Sequence, residues 1–350
     1  MPANTAVAQE VAKLRSKLGA GIFPEELQQK TADMLERLER LGESGTYTTE
    51  YERTAHYIDW IVNLPWNSRS DDSLDLTKAK EVFDRHHYGL EEIKQRMLEF
   101  ISVIKLTTQK NPTHSARAPI ICLVGLVGTG KTTFAASLAQ ALGRKLARIP
   151  FGGMGSARDL RGQSRLHLEA EPGYVIKALR RVQVKNPVIL LDEIDRVSDS
   201  ARADIMGVLV ELLDPEQNSA FVDHYIDYPF DLSEVLFLAT ANNTTSVATA
   251  VMDRLEVHSM PSYSDAEKIQ IGQNYLLPQA LEEAGLSSEN LSFDESLWPK
   301  IVRPLGFDAG IRTLQRNIKS ITRKLALEVV EGKTHHLTLT DSNLREYLPA

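Results

Sequence analysis

The stretch Gly125-Leu-Val-Gly-Thr-Gly-Lys-Thr132 constrains the fold of this chain more than any other. It fits G-x-x-x-x-G-K-[ST] at every position, follows an apolar run at Ile120–Val124 and opens a helical pattern at Thr133–Leu142. Glycines let the backbone wrap closely enough for its N–H groups to point at phosphate oxygens, and the first helical turn adds partial positive charge. Gly125, Leu126, Val127, Gly128, Thr129, Gly130, Lys131, Thr132 and Thr133 are therefore expected to hold ATP or GTP. Lys131 would bring a point charge to the β and γ phosphates, and the Thr132 hydroxyl a ligand for Mg²⁺. The partner element is Val188-Ile-Leu-Leu-Asp192-Glu193, an apolar strand with an acidic pair at its C-terminal end, where parallel sheets bind ligands. Asp192 is expected in the Mg²⁺ shell, and Glu193 as the general base that polarises the attacking water.

Short apolar runs at Ile120–Val124, Leu146–Phe151, Val188–Leu191 and Val235–Ala239 alternate with helical patterns, which predicts an α/β layer fold around a parallel sheet. Before it, Val7, Val11, Leu14 and Leu18 begin a series of three amphipathic helices that ends at Pro65. Asn67–Asp75 reads as a polar linker, followed by helices over Leu76–His86 and from Leu90 to about Leu106. After Pro261 the strand signal stops. Helices are expected over Asp265–Glu283 and Ala309–Val330, then a short alternating run at His336–Thr340 and a last helix over Asp341–Leu348.

Composition narrows the classes. The 350 residues carry 40 Lys+Arg against 47 Asp+Glu, a net charge of −7, which argues against nucleic acid as the main partner. The uncharged stretch Ala118 to Gly130 is too short and glycine-rich to span a bilayer core of roughly 30 Å. Met1 to Leu18 has no apolar segment of a secretory signal, and the single Cys122 can form no intramolecular disulfide. His86-His87 and His335-His336 are without the further ligands of a metal site and read as surface or pocket residues.

Three more segments decide the class: Phe237-Leu-Ala-Thr-Ala-Asn-Asn243, Met252-Asp-Arg-Leu-Glu256 and Gly310-Ile-Arg-Thr-Leu-Gln-Arg316. A phosphate loop, an acidic strand end, a polar strand end and two arginines resemble the AAA+ ATPases. More narrowly, the chain resembles the Lon protease family. Matching segments are Tyr57-Ile-Asp-Trp-Ile-Val-Asn-Leu-Pro-Trp66, His87-Tyr-Gly-Leu-Glu-Glu-Ile-Lys94, Asp192-Glu-Ile-Asp195, Asp214-Pro-Glu-Gln-Asn-Ser-Ala-Phe221, Asp223-His-Tyr225 and Pro229-Phe-Asp-Leu-Ser233. The resemblance implies a helical N-terminal part over residues 1–70, an AAA+ α/β nucleotide-binding domain over 71–260 and an α-helical lid over 261–350. It implies ATP and Mg²⁺ as cofactors, and a homo-oligomeric ring, a hexamer, that unfolds and translocates unfolded or damaged proteins. The implied setting is the bacterial cytosol, with the mitochondrial matrix as an alternative.

By the same resemblance, Asn242 orients the attacking water, Arg254 reaches into a neighbouring subunit's site, and Arg312 contacts the phosphates of its own subunit. His87, Tyr88, Gly89 and Leu90 are assigned to the adenine pocket. No Pro-rich segment with a nucleophilic serine occurs, so the chain is expected to lack the Ser-Lys protease domain and not to cut peptides by itself. The first pore loop aligns with Arg165-Leu-His-Leu-Glu-Ala-Glu-Pro-Gly173. There His167 stands where the family has Tyr, followed by Leu168, with Glu169 and Glu171 added. His167 and Leu168 are expected to grip substrate more weakly than an aromatic, with His167 able to change charge near neutral pH, unless His167 is simply an exposed loop residue. The basic run Arg158, Arg161, Arg165 is expected to meet acidic groups of neighbouring subunits or substrate. A motor acting on nucleic acid is the alternative function.

Overall fold

In the computed structural model, residues 3–21, 23–43, 49–110, 119–167, 169–303 and 310–349 are described. The N-terminal part forms helices α1 (Ala3–Ala20), α2 (Glu25–Glu43) and α3 (Thr49–Val62). Val11, Leu14 and Leu18, Leu27, Leu35 and Leu38, and Ile58 and Ile61 recur every three or four residues and meet in one buried seam. Helices α4 (Leu76–His86) and α5 (Glu91–Lys110) follow. The α/β core then runs β1 (Ile120–Val124), α6 (Lys131–Leu142), β2 (Leu146–Pro150), α7 (Arg158–Arg161), α8 (Tyr174–Val182), β3 (Val188–Asp192) and α9 (Arg202–Leu213). It continues with the hairpin β4 (Phe221–Val222) and β5 (Pro229–Phe230), then β6 (Leu236–Ala241), α10 (Thr249–Met252) and β7 (Leu255–Ser259). The last part contains α11 (Asp265–Ile271), α12 (Leu277–Glu283), β8 (Leu291–Phe293), α13 (Trp298–Val302), α14 (Arg312–Val330), β9 (Leu337–Leu339) and α15 (Leu344–Tyr347).

The central sheet is all-parallel in the order β2-β3-β6-β1-β7. Side chains alternate between its faces with the period of two that a strand imposes. Ile121, Leu123, Leu190 and Leu238 face the apolar sides of α4, α5 and α6. Cys122, Ile189, Leu191 and Ala239 face α8 and α9 in a core continuous with the seam of α1–α3. Every residue of β3 is buried, as expected of a central parallel strand covered on both faces. A separate core gathers Ile271, Trp298, Ile301, Leu314, Ile318, Ile321, Leu325 and Leu339 in the last part. No helix among the described residues is long and apolar enough to cross a membrane.

The four expected strands are present, and a fifth, β7, borders the sheet beside β1. Its Glu256 and His258 sit among apolar neighbours on an edge strand, which hides the strand signal. Glu256 is paired with Arg96 at 2.6 Å and with His258 at 2.8 Å. The expected helix over Asp265–Glu283 is interrupted by a π turn at Gly272–Leu276. Pro278 has no N–H for the carbonyl four residues back, so the backbone widens there, and Gly272 lies where a Cβ would be 2.5 Å from the Trp298 ring. The polar segment read as a linker is instead a strap tied to the core. Ser70 N–H donates to Asn186 Oδ1 at 2.9 Å, and Arg144 donates to both carboxylate oxygens of Asp72 at 2.7 Å. Asp75 then caps α4, its Oδ1 accepting from the N–H groups of Thr77 and Lys78.

Of the two readings of His87, surface or pocket, the structure removes the surface one. His87 is 5 % exposed, with Nε2 at 2.9 Å from Ser137 Oγ and its ring 4.8 Å from that of Phe134. Burial, aided by the charges of His86 and Lys94, pushes its pKa down to about 4. Below the ordinary value of about 6.5 the unfolded chain takes up a proton that the folded chain refuses. The stabilisation is therefore complete above about pH 6.5 and is lost as pH falls toward 4, amounting to about 2–3 kcal/mol. Urea unfolding of the wild type and of His87→Gln at pH 7 and pH 4.5 should show a smaller acid loss in the variant. Equal losses in both would refute this.

Candidate nucleotide-binding and hydrolytic site

The loop between β1 and α6 owes its path to glycines. Gly128 and Gly130 have φ of 84° and 96°, in the left-handed region that strains any other residue. Gly130 caps α6, so the first-turn N–H groups of that helix stay free of a side-chain cap. Gly125 passes so close to Met260 that a Cβ would stand 2.5 Å from the Met260 carbonyl oxygen. The Lys131 ammonium folds back onto the loop, donating to the carbonyls of Gly125 at 2.6 Å and Leu126 at 3.0 Å and to Asn242 Oδ1 at 3.3 Å. Burial draws its pKa down, while the carboxylates of Asp195, Glu193 and Asp192 act in the opposite direction. Thr129 Oγ1 closes the turn on Leu126 O at 2.9 Å, and Thr133 Oγ1 bonds Gly130 O at 2.7 Å. Leu126, Thr132 and Thr133 are exposed, while Val127 is half-buried.

The acidic strand end lies beside this loop. Asp192 Oδ1 is 3.5 Å from Thr132 Oγ1 and accepts from Thr240 Oγ1 at 2.5 Å. Thr240 Oγ1 accepts in turn from the Glu193 N–H at 2.9 Å. Glu193 has φ 59°, an unfavourable conformation for a residue with a Cβ. Its Oε2 lies 3.2 Å from the point a Cβ on Gly152 would occupy, and its Oε1 is 3.6 Å from Arg196 Nη1. Asn242 follows β6 directly, with its N–H on Asp195 Oδ1 at 3.1 Å. Its Nδ2 is buried without an acceptor among the described residues. An unsatisfied buried donor costs about 1–3 kcal/mol, so this amide is a natural partner for a ligand oxygen.

The third wall comes from the lid. Ile311 N–H donates to Gly128 O at 3.0 Å, and Tyr263 OH to Thr129 O at 3.2 Å. A Cβ on Gly310 would lie 2.5 Å from Val127 O, so only glycine lets the two backbones touch. Arg312, the first residue of α14, runs over the loop, its Cγ 3.1 Å from where a Gly128 Cβ would be. Tyr88 packs with Ile311 against the lid core, and Leu90 against the α4–α6 core. Between those cores Gly89 and Leu90 take φ of 61° and 58°. His87, by contrast, directs its ring into the protein toward Ser137.

Lys131, Thr132, Asp192, Glu193, Asn242 and Arg312 are thus brought together, whereas Arg254 is engaged elsewhere. Its Nη2 donates to Asp214 Oδ2 at 2.9 Å and its Nη1 to Ala250 O at 2.8 Å, and the bond to Arg254 holds the Asp214 pKa below the usual carboxylate value. His167 is exposed on its loop, its N–H on Ser164 O at 3.0 Å, while Leu168 lies outside the described residues. The loop hangs from a neck where the buried Asp223 carboxylate accepts from the N–H groups of Gly173, Tyr225 and Ile226. The expectation for the basic run is corrected at two positions. Arg161 pairs with Glu211, and Arg165 lies 3.8 Å from Asp227 and 3.8 Å from the Tyr57 ring centroid. Both arginines find partners inside their own chain because α9 and α3 pack beside the loop.

Thr240, Asp195, Arg148 and Tyr263 are site residues that sequence reasoning missed. Asp195 stands in the run Asp192-Glu-Ile-Asp195, which was a usable signal. Thr240 lies in the Phe237–Asn243 segment, whereas Arg148 and Tyr263 reach the site through strand register and lid packing, which no local pattern announces.

Residues 121–263 match the model of the ATPase family associated with various cellular activities (AAA), and residues 282–337 match the Lon protease AAA+ ATPase lid domain. The chain is 40% identical to a Lon protease of Roseiflexus castenholzii over 93% of its own length and 40% of the relative's. It is 40% identical to Lon protease 2 of Thermus thermophilus, over 97% of this chain and 43% of that one. It is 39% identical to Lon protease 1 of Bacillus subtilis, again over 97% and 43%. The chain thus spans about two fifths of the length of these curated relatives. With an AAA ATPase domain, a Lon-type lid and identity of this order along nearly its whole length, the chain belongs to the Lon family of AAA+ ATPases.

Proposed function

We propose that this chain hydrolyses ATP with Mg²⁺ at the junction of phosphate loop, acidic strand end and lid, and couples hydrolysis to unfolding and translocating protein. The observation that carries the reading is the convergence on one spot of Lys131, Asp192 and Asn242, whose amide Nδ2 is left without an acceptor among the described residues. The loop Gly125–Thr133 would receive the phosphates, and Lys131 would exchange its contacts with the Gly125 and Leu126 carbonyls for phosphate oxygens. Thr132 Oγ1 and Asp192 Oδ1, hard oxygen donors 3.5 Å apart, suit Mg²⁺. Bound there, the ion would neutralise charge on the β and γ phosphates. Glu193 would polarise the attacking water and Asn242 would orient it. Arg312 would contact the phosphates of its own chain, and the His87–Leu90 segment would border the base.

Arg254 is the residue proposed to act between subunits. It makes its polar contacts with Asp214 and Ala250 and none with the loop of its own chain. A half-buried cation held on a carboxylate and not on its own phosphate loop is suited to reach a neighbour's phosphates, so the working form is proposed to be a homo-oligomeric ring, a hexamer. Unfolded protein is the proposed substrate, with His167 and Leu168 at the pore, on the ground that the relatives named above are proteases. Nothing favours a nucleic-acid motor, since Arg161 and Arg165 are engaged within the chain. The bacterial cytosol is the proposed compartment, in keeping with the bacterial sources of those relatives and a buried free Cys122.

Two experiments test this. Glu193→Gln should retain ATP affinity within about twofold while turnover falls about 100-fold or more, and Lys131→Ala should lose nucleotide binding itself. Titration with a fluorescent ATP analogue and a phosphate-release assay read the two effects apart, and near-normal turnover in Glu193→Gln would sink the role of the base. Arg254→Ala should bind ATP normally yet hydrolyse it about 100-fold more slowly or worse. In mixed assemblies, turnover should recover at a site in an Arg254→Ala subunit whose neighbour supplies a wild-type arginine. Loss confined to the mutated subunit's own site would exclude action in trans.

A further inference from the structure

Arg148 lies on β2, outside every motif of the site, yet its guanidinium closes on Asp192. Nε stands 2.7 Å and Nη2 2.6 Å from the same carboxylate oxygen, Oδ2. The strand register sets Arg148 opposite Leu190 and Pro150 opposite Asp192, so the side chain runs two residues along the sheet to its C-terminal edge. The Asp192 side chain is only 5 % exposed, whereas that of Arg148 is 55 % exposed. The other carboxylate oxygen, Oδ1, faces Thr240 Oγ1 and Thr132 Oγ1. The two oxygens of one carboxylate are thus divided: one is occupied by a fixed cation, the other is turned to the phosphate loop.

We infer that Arg148 is a positioning residue that restricts Asp192 to a single, weakened oxygen contact on the Mg²⁺ side of the site. The inference rests on the reading of Asp192 as the Mg²⁺-side carboxylate. Both donors of the fork occupy Oδ2 and remove it from any metal shell. The positive charge beside the carboxylate also reduces its attraction for a divalent cation. Without Arg148, Asp192 would be free to turn and offer both oxygens, holding the metal more tightly and slowing turnover. An ion pair that merely fastened β2 to β3 would have no such effect on metal affinity.

The test measures the Mg²⁺ concentration that half-saturates the Mg²⁺-dependent tightening of a fluorescent ATP analogue, alongside its affinity in EDTA and steady-state ATP turnover. In Arg148→Ala, and in Arg148→Gln as a second variant of different packing, the Mg²⁺ midpoint should fall at least threefold. Turnover should fall about tenfold, with affinity in EDTA unchanged. Arg148→Lys, which keeps the charge, should leave the midpoint near that of the wild type. An unchanged or raised midpoint in the neutral variants, or a fall in Arg148→Lys equal to theirs, overturns the inference. The underlying reading fails separately: wild-type analogue affinity would then be indifferent to Mg²⁺, or Asp192→Asn would leave the midpoint unmoved.

Discussion

The whole site depends on β6 lying between β3 and β1. Its register sets Thr240 beside Leu123 of β1, and its other edge pairs with β3. From there one fully buried hydroxyl donates to Asp192 and accepts from the Glu193 N–H, fixing the acidic pair at the sheet's edge. The residue after this strand, Asn242, then arrives at Lys131 with its N–H held by Asp195. Parallel strands end on the same side, so a loop, a carboxylate and an amide from three distant stretches of chain meet in one crevice.

The lid completes the site by touching backbone with backbone. Gly310 against Val127 and Gly128, the Ile311 bond to Gly128, and Tyr263 on Thr129 join lid and loop directly. A shift of the lid would therefore be felt at the phosphate loop itself. Tyr88 and Ile311, both packed on the lid core, extend that contact toward the Gly89–Leu90 turn. On the opposite side, Arg165 on Tyr57 and Glu171 near His56 at 3.6 Å tie the His167 loop to α3. The loop proposed to handle substrate is thus in contact with the N-terminal helices as well as with the core.

Much of this was legible in the sequence because it is local. A glycine-rich turn after an apolar strand has one good structural reading, and apolar residues every three or four positions give the faces of α1–α3 and α14. What escaped was non-local or masked by polar residues. Strand β7 carries Glu256 and His258 and is not among the expected strands; its pairing with β1 and the Arg96 contact of Glu256 are both non-local. The π turn follows from Pro278 and the Trp298 ring together, and the second of these comes from a different helix. The polar strap over Asn67–Asp75 resembles a linker because its partners, Asn186 and Arg144, lie far away in sequence.

By itself, the sequence determined the kind of chemistry: a phosphate loop, an acidic strand end and a set of segments shared with the Lon family name the residue types hydrolysis needs. Tertiary structure alone decided how those residues stand to one another. Arg148 on Asp192, Thr240 under Glu193, Asp214 on Arg254 and His87 turned inward to Ser137 are all outcomes of strand register and helix packing. The physical reason is range. Backbone conformation and amphipathic pattern are written within a few neighbouring residues, whereas the partner of a charge or a hydroxyl is chosen by which elements the core brings side by side.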